Sequence, residues 1–273
     1  MKKRHFKLDS GSVVPNLVSF VIPARNAERT IGKCIKSILS QKNANTKIEI
    51  IVVDDGSTDK TAEIAADLGA KVIRKPHSGV PESINVGIRN SRGSLIALVD
   101  SDIYICEDWL KEALNEMERY DAINTTRANP SLMRPHESFY YRILSASFSL
   151  GSKLSRGIEI PALGDASLIK RKVFEKVGGF DESFSPVGGQ DVEFGIRVRK
   201  YGFRTKYSRN AKYFHEVIIL PSLYTKIKKV IFYNHGLIKA FLKHRTYIGN
   251  SLISCWLLLF LYPLLGLCRR FFK

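Results

Sequence analysis

Two kinds of apolar pattern alternate along the first half of the chain. Short runs with few polar interruptions, "LVSFVIP" (17–23), "KIEIIVVDD" (47–55), "KVIRKP" (71–76) and "SLIALVD" (94–100), have the length and β-branched content of buried strands. Between them, "AERTIGKCIKSILSQ" (27–41) sets Ile31, Cys34, Ile35, Ile38 and Leu39 at helical spacing. The stretch 57–70 predicts a helix with Ser57 or Thr58 as N-cap and Gly69 as its stop, and 80–93 predicts one that ends at Gly93. Asp108 is placed to cap a helix through "WLKEALNEMERY", and "DAINTT" after it reads as a fifth strand. Repeated strand–helix units with apolar strands predict an α/β fold, with a mostly parallel central sheet and helices on both faces.

The second half is less regular. Residues 127–162 mix aromatics, prolines and basic residues, which fits either partial helix or a loop. "LGDASLIKRKVFEKVGGFDESF" gives a short strand, a helix and a glycine turn. "GGQDVEFGIRVRKYGF" (188–203) gives a helix with Asp191 in its first turn and a stop at Gly202.

At 273 residues and 44% hydrophobic content, the chain fits one large domain, alone or with an appendage, and wholesale disorder is excluded. Cys34, Cys106, Cys255 and Cys268 have no ligand spacing, so zinc and a disulfide framework are disfavoured and a reducing compartment is expected. "MKKRHFKLDSGSVVPN" is basic but lacks an apolar core, so it is not expected to act as a signal peptide.

The net charge of +17 suggests nucleic acid or an anionic membrane, and its distribution favours the membrane. After Glu216 there is no acidic residue, while Lys226, Lys228, Lys229, Lys239, Lys243, Arg245, Arg269, Arg270 and Lys273 follow. Residues 224–245 form a basic amphipathic pattern suited to a headgroup layer. Residues 251–268 are uncharged and just reach spanning length, with Pro263 as a kink, so a span and an interfacial hairpin both remain open. No nucleic-acid partner is expected.

The chemistry gathers where strands end. Asp54 and Asp55 close the second strand, and Asp100 and Asp102 follow the fourth. Open parallel sheets bind ligands at the carboxyl ends of their strands. In an extended strand Asp100 and Asp102 would point the same way, and two hard carboxylates suit Mg²⁺ or Mn²⁺. Neither GxxxxGK[ST] nor a GxGxxG after strand one occurs, which disfavours a P-loop enzyme and a dinucleotide site.

Five segments in this order, "VIPARNAERTI", "VVDDGSTDKT", "LVDSD", "GGFDESF" and "GGQDVEFGIRVRKYG", resemble the family 2 glycosyltransferases of the GT-A fold, from about Val18 to His215. The resemblance implies an inverting transfer from a nucleotide-diphosphate sugar, with Mg²⁺ or Mn²⁺ as cofactor. It implies a nucleotide-cradling turn at Pro23, Ala24 and Asn26, with Glu28 near the ribose. Asp55 would hydrogen-bond the base, supported by Asp54. Asp100-Ser101-Asp102 would be the DxD motif that holds metal and ribose, with Asp100, Asp102 and His215 at the metal. Asp191 would be the general base. Two positions depart from the pattern: Gln190 stands where relatives commonly have Glu, and Ser83-Ile84-Asn85 stands where many have Ala-Arg-Asn.

The expected organisation is a basic extension (1–16), a catalytic domain (17–216) and a membrane-associating tail of basic amphipathic and hydrophobic helices (217–273). The catalytic domain would divide into a nucleotide-sugar half (17–126) and an acceptor half (127–216). Such an enzyme is expected at the cytoplasmic face of the cell membrane, acting on a lipid-linked or glycan acceptor in polysaccharide or glycolipid synthesis. The competing readings are an inactive GT-A domain serving as a nucleotide- or glycan-binding scaffold, and a nucleotidyltransferase. Intact Asp100, Asp102 and Asp191 argue against the first, and the absence of a glycine-rich basic loop after strand one argues against the second.

Overall fold

The computed structural model describes residues 13–41, 46–128, 162–185, 188–216 and 235–248. Strand β1 (Val14–Ala24) runs parallel to β2 (Lys47–Asp55) on one side and to β4 (Gly93–Val99) on the other. β3 (Lys71–Lys75) lies parallel outside β2. Beyond β4 the sheet changes character, because β7 (Ala166–Lys170) pairs with it antiparallel. β6 (Ala122–Arg127), β8 (Thr205–His215) and the three-residue β5 (Ile103–Ile105) complete an eight-stranded sheet in the order β3-β2-β1-β4-β7-β6-β8-β5.

The pleat sorts the apolar side chains to two faces. Phe20 and Ile22 of β1 and Val99 of β4 join Ile31, Ile35 and Ile38 of α1 (Ile31–Leu39), together with Trp109 of α4 (Trp109–Met117). On the opposite face Val21, Ile96 and Leu98 meet Ile84 and Ile88 of α3 (Val80–Arg89), Phe174 of α5 (Arg171–Val177) and Phe194 of α6 (Gln190–Lys200). The expected layering of helices on both faces of an α/β sheet is what forms.

Several boundaries differ from the sequence expectation. Helix α2 (Thr61–Asp67) starts at Thr61 rather than after Ser57 or Thr58, and Lys60 precedes it without a side-chain cap bond. It stops as expected ahead of Gly69, at φ +81°. Helix α3 ends at Asn90, and Gly93 instead opens β4. A Cβ on Gly93 would lie 2.5 Å from the Leu17 carbonyl and 2.6 Å from Ser19 Oγ, so only glycine lets these strands approach. Asp108 precedes α4 without capping it through its side chain. β5 and the long β8 were not foreseen.

By proximity the chain divides into two units, and the first holds every strand and helix named so far. In the second, residues 235–243 are helical, with Leu237, Ala240 and Phe241 buried. The apolar stripe expected to face lipid is thus covered over this stretch, while Leu242 is half exposed. Gly189 passes close enough to Gly236 that a Cβ would lie 2.5 Å from the Gly236 carbonyl carbon. Among the described residues no helix is long and apolar enough to cross a membrane. Residues 224–234 and 251–268, on which the membrane reading rests, lie outside the described residues.

Candidate active site

Pro23 and Ala24 end β1, with Ala24 opposite Asp54 of β2. The chain then turns through Asn26 at φ +50°, a conformation that asparagine tolerates better than most residues. Asn26 joins two loops: its N–H donates to Ser57 Oγ (3.0 Å) and its Oδ1 accepts the Thr58 N–H (2.9 Å). This explains why Ser57 and Thr58 do not start α2. The Glu28 N–H donates to Asp59 Oδ2 (3.1 Å), and Glu28 Oε2 accepts the Lys60 N–H (3.4 Å). Asp54 Oδ1 accepts the Ser57 N–H at 3.0 Å. A cleft of about 390 Å³ opens here, lined by Asp54, Ser57, Thr58, Asp59, Arg74 and Lys75 among others.

Asp55 is occupied differently from expectation. Its carboxylate accepts from Lys75 Nζ, His77 Nδ1 (2.8 Å) and the amides of Ser78 and Gly79 (both 2.9 Å). Burial pushes this carboxyl up, but Lys75, Ser78, His77 and Gly79 together outweigh it and hold it at about 2. Four donors use about as many lone-pair sites as a carboxylate has, so the acceptor expected for a nucleobase is already engaged within the protein. Arg25 Nη1 lies 3.0 Å from His77 Nε2. A guanidinium can only donate, so at this contact Nε2 is the acceptor and Nδ1 faces Asp55.

At the far end of β4 the strand stops at Val99, and Asp100 to Asp102 form a turn closed by the Ile103 N–H on the Asp100 carbonyl (3.0 Å). The expected two-residue alternation of an extended strand therefore does not apply; the turn brings the two acids together, with Ser101 half-buried between them. Burial, then Asp165, Asp102 and Asp191 in turn, push the Asp100 carboxyl well above its usual range. Asp102 Oδ1 lies 3.4 Å from His215 Nε2, at the end of β8. Cys34 of α1 donates its thiol to the Asp100 carbonyl (3.6 Å).

Asp191 enters from the first turn of α6, a favourable place for a carboxylate. Burial and then Asp165 push it up to about 6, against bonds from backbone amides. Its Oδ1 is buried with no hydrogen-bond partner among the described residues. Asp100 thus has Asp165, Asp102 and Asp191 as charged neighbours, while the Asn26–Asp55 constellation stands at the ends of β1 and β2.

Asp165 and Tyr213 were not anticipated. Tyr213 Oη donates to Asp165 Oδ2 at 2.9 Å, and Arg127 Nη2 donates to the His215 carbonyl at 3.3 Å. Asp165 precedes β7, so in a parallel sheet it would lie at the edge away from the site. β7 runs antiparallel, with Val99 opposite Ala166, and that reversal brings it to Asp100. The only sequence signal was an acid just before an apolar strand, and nothing local reveals strand direction.

These groups suit a hard divalent cation in one respect: clustered carboxylates disfavour their own ionisation and would be relieved by positive charge. Among the described residues no three His, Cys, Asp or Glu side chains assemble a ready-made cage. Asp100, Asp102 and His215, expected together at a metal, do not form such a three-residue group by themselves.

Comparison with known proteins bears on the family and the fold. The model of the family "Glycosyl transferase family 2" matches residues 19–178. The glycosyltransferase GlyA of Streptococcus pneumoniae is 30% identical over 141 residues, covering 50% of this chain and 20% of that protein. A beta-monoglucosyldiacylglycerol synthase from a Nostoc species is 24% identical over 73% of this chain and 45% of its own. This chain thus spans less than half the length of either relative. The mannosyltransferase PcManGT of Pyrobaculum calidifontis, solved with GDP-Man and Mn²⁺, superposes with a TM-score of 0.67 at 19% identity, over 89% of this chain and 69% of that one. The fold is shared with that GT-A enzyme.

Proposed function

The chain belongs to glycosyl transferase family 2, and from that premise we propose that it is a glycosyltransferase moving a sugar from a nucleotide-diphosphate donor to a hydroxyl or phosphate of a membrane-linked or glycan acceptor, with inversion. The observation that carries the reading is the convergence of Asp100, Asp102 and Asp191 beyond β4, with Asp191 holding its proton up to about pH 6.

Asp191 accepts the proton of the attacking hydroxyl. A buried carboxylate pushed upward by a neighbouring acid is a stronger base than a solvated one, and its affinity sits near working pH. The turn of Pro23, Ala24, Asn26 and Glu28, with Asp54, orients the nucleotide. Asp55 serves that turn indirectly, by fixing Lys75, His77 and the amides of Ser78 and Gly79. Asp100 and Asp102, with His215 beside them, would hold Mg²⁺ or Mn²⁺, while Ser101 between the two acids would help to bind the donor. When bound, the cation supplies positive charge against the departing diphosphate. Attack from the side opposite the leaving group inverts the anomeric carbon.

The Nostoc relative's name supports a lipid acceptor, and the nine basic residues after Glu216 favour an anionic surface. On this reading residues 17–216 form the catalytic domain and 217–273 seat it at the cytoplasmic face of the membrane. Purified protein with Mn²⁺ and a panel of sugar nucleotides should release nucleoside diphosphate from one of them. Asp191→Asn should abolish transfer and leave donor binding intact. Failure to bind or cleave any donor would overturn the proposal.

A further inference from the structure

We propose that residues 163–165 are a brace that fixes the spacing between the Asp100–Asp102 turn and Asp191, and that Tyr213 and Asp165 are positioning residues that lock it. The inference rests on the assignment of Asp191 as base.

Three adjacent residues bond both halves of the site. The Asp165 carbonyl accepts the Asp100 N–H at 3.0 Å, and the Leu163 N–H donates to the Asp191 carbonyl at 3.2 Å. Between them Gly164 lies directly against the base: a Cβ there would sit 2.9 Å from Asp191 Cβ and 3.5 Å from its Oδ2. Asp191 Oδ1 has no hydrogen-bond partner among the described residues, so packing on Gly164 joins the backbone amides of Asp191 and Val192 in orienting the carboxylate. The brace turns sharply at Asp165, whose φ of +45° is uncommon outside glycine and needs its surroundings to hold it. Those surroundings are Tyr213, buried at 6% exposure, with its hydroxyl 2.9 Å from Asp165 Oδ2. Tyr213 lies on β8 two residues before His215, so a single strand carries both the lock and a group beside Asp102.

A brace acts on geometry at the reacting centre and leaves the nucleotide turn alone. Tyr213→Phe removes only the hydroxyl, and Gly164→Ala adds one methyl against Asp191. Each should lower kcat about 10- to 100-fold, as small misplacements of catalytic groups do, and should change donor Kd far less. Asp165→Asn, which keeps an acceptor for Tyr213 and tolerates the turn, should retain kcat at pH 8, whereas Asp165→Ala should behave like Tyr213→Phe. Wild-type kcat in both Tyr213→Phe and Gly164→Ala would overturn the brace, as would loss of donor binding in step with kcat. The ¹³C carboxyl resonance of Asp191, assigned by its absence in Asp191→Asn, gives a reading without turnover. It should move in Tyr213→Phe, and an unmoved resonance overturns the proposal even if Gly164→Ala fails to fold. A wild-type protein inactive on every donor would sink the sugar-transfer reading instead, and the resonance would still decide the brace.

Discussion

The burial that suits Asp191 to its proposed role as base also makes its charged form costly to the fold. Its carboxyl rises from an ordinary 3.8 to about 6, so the folded protein binds its proton more tightly than the unfolded chain does. The stabilisation belonging to the protonated form is complete below pH 4 and is lost as pH rises through 6. Without metal, Asp191→Asn should therefore be more stable than wild type at pH 7 by about 3 kcal/mol, and no more stable at pH 3.5. Urea unfolding at the two pH values checks this, and equal differences at both would refute it. Activity should run the other way, rising as pH climbs through 6. Asp191 was legible in the sequence because a helix start and a motif coincide there. Asp165 was not, since its position depends on a pairing that no local pattern encodes.

Helix α6 needs an anchor if its first turn is to present Asp191. Glu193, fully buried, is gripped by Arg197 Nε on both oxygens (2.9 and 3.0 Å). The same guanidinium reaches the carbonyls of Val177 (3.1 Å) and Gly179 (2.7 Å), tying α6 to the turn after α5. From the other side, Asn85 of α3 holds both the N–H and the carbonyl of Phe180. Arg197→Leu should cost about 3–5 kcal/mol by leaving a buried carboxylate short of its cation, and Glu193→Leu with Arg197→Leu should recover part of it. Chemical denaturation of the three proteins measures the difference; a double variant no better than the single one would contradict it. At this scale apolar runs and helical spacing identified most strands and helices of the first half. They failed at helix starts, where Ser57 and Thr58 are recruited across the loop by Asn26. They failed also at β8, which buries mainly Ser208, Ala211 and Tyr213 and so lacks an apolar alternation, and at β5, too short to produce one.

Across the whole sheet, neighbours differ greatly in how far apart they lie in sequence. β1 and β2 pair through close registers such as Phe20 with Ile50. β4 meets β7 at Leu95 and Lys170, and β6 meets β8 at Ala122 and Thr205. Closing longer loops costs more entropy before contacts repay it, so the first group should form earlier. Pulsed hydrogen exchange during refolding should show amides of β1 and β2 protected before those of β6 and β8; simultaneous protection would count against this.

The reversal of β7 reaches beyond one molecule. Residues 14–105 contain the residues assigned to the nucleotide turn and the paired acids, and 163–215 contain Asp165, Asp191, Tyr213 and His215. Within the sheet the two blocks meet along β4 and β7, where five residue pairs run from Leu95–Lys170 to Val99–Ala166, and along the short β5–β8 edge. If the first block binds the donor and the second the acceptor, as proposed, a lineage can diverge in either preference by altering one block with little revision of the other. Recombination at the intervening segment would keep both halves intact, provided the β4–β7 and β5–β8 pairings are inherited with them.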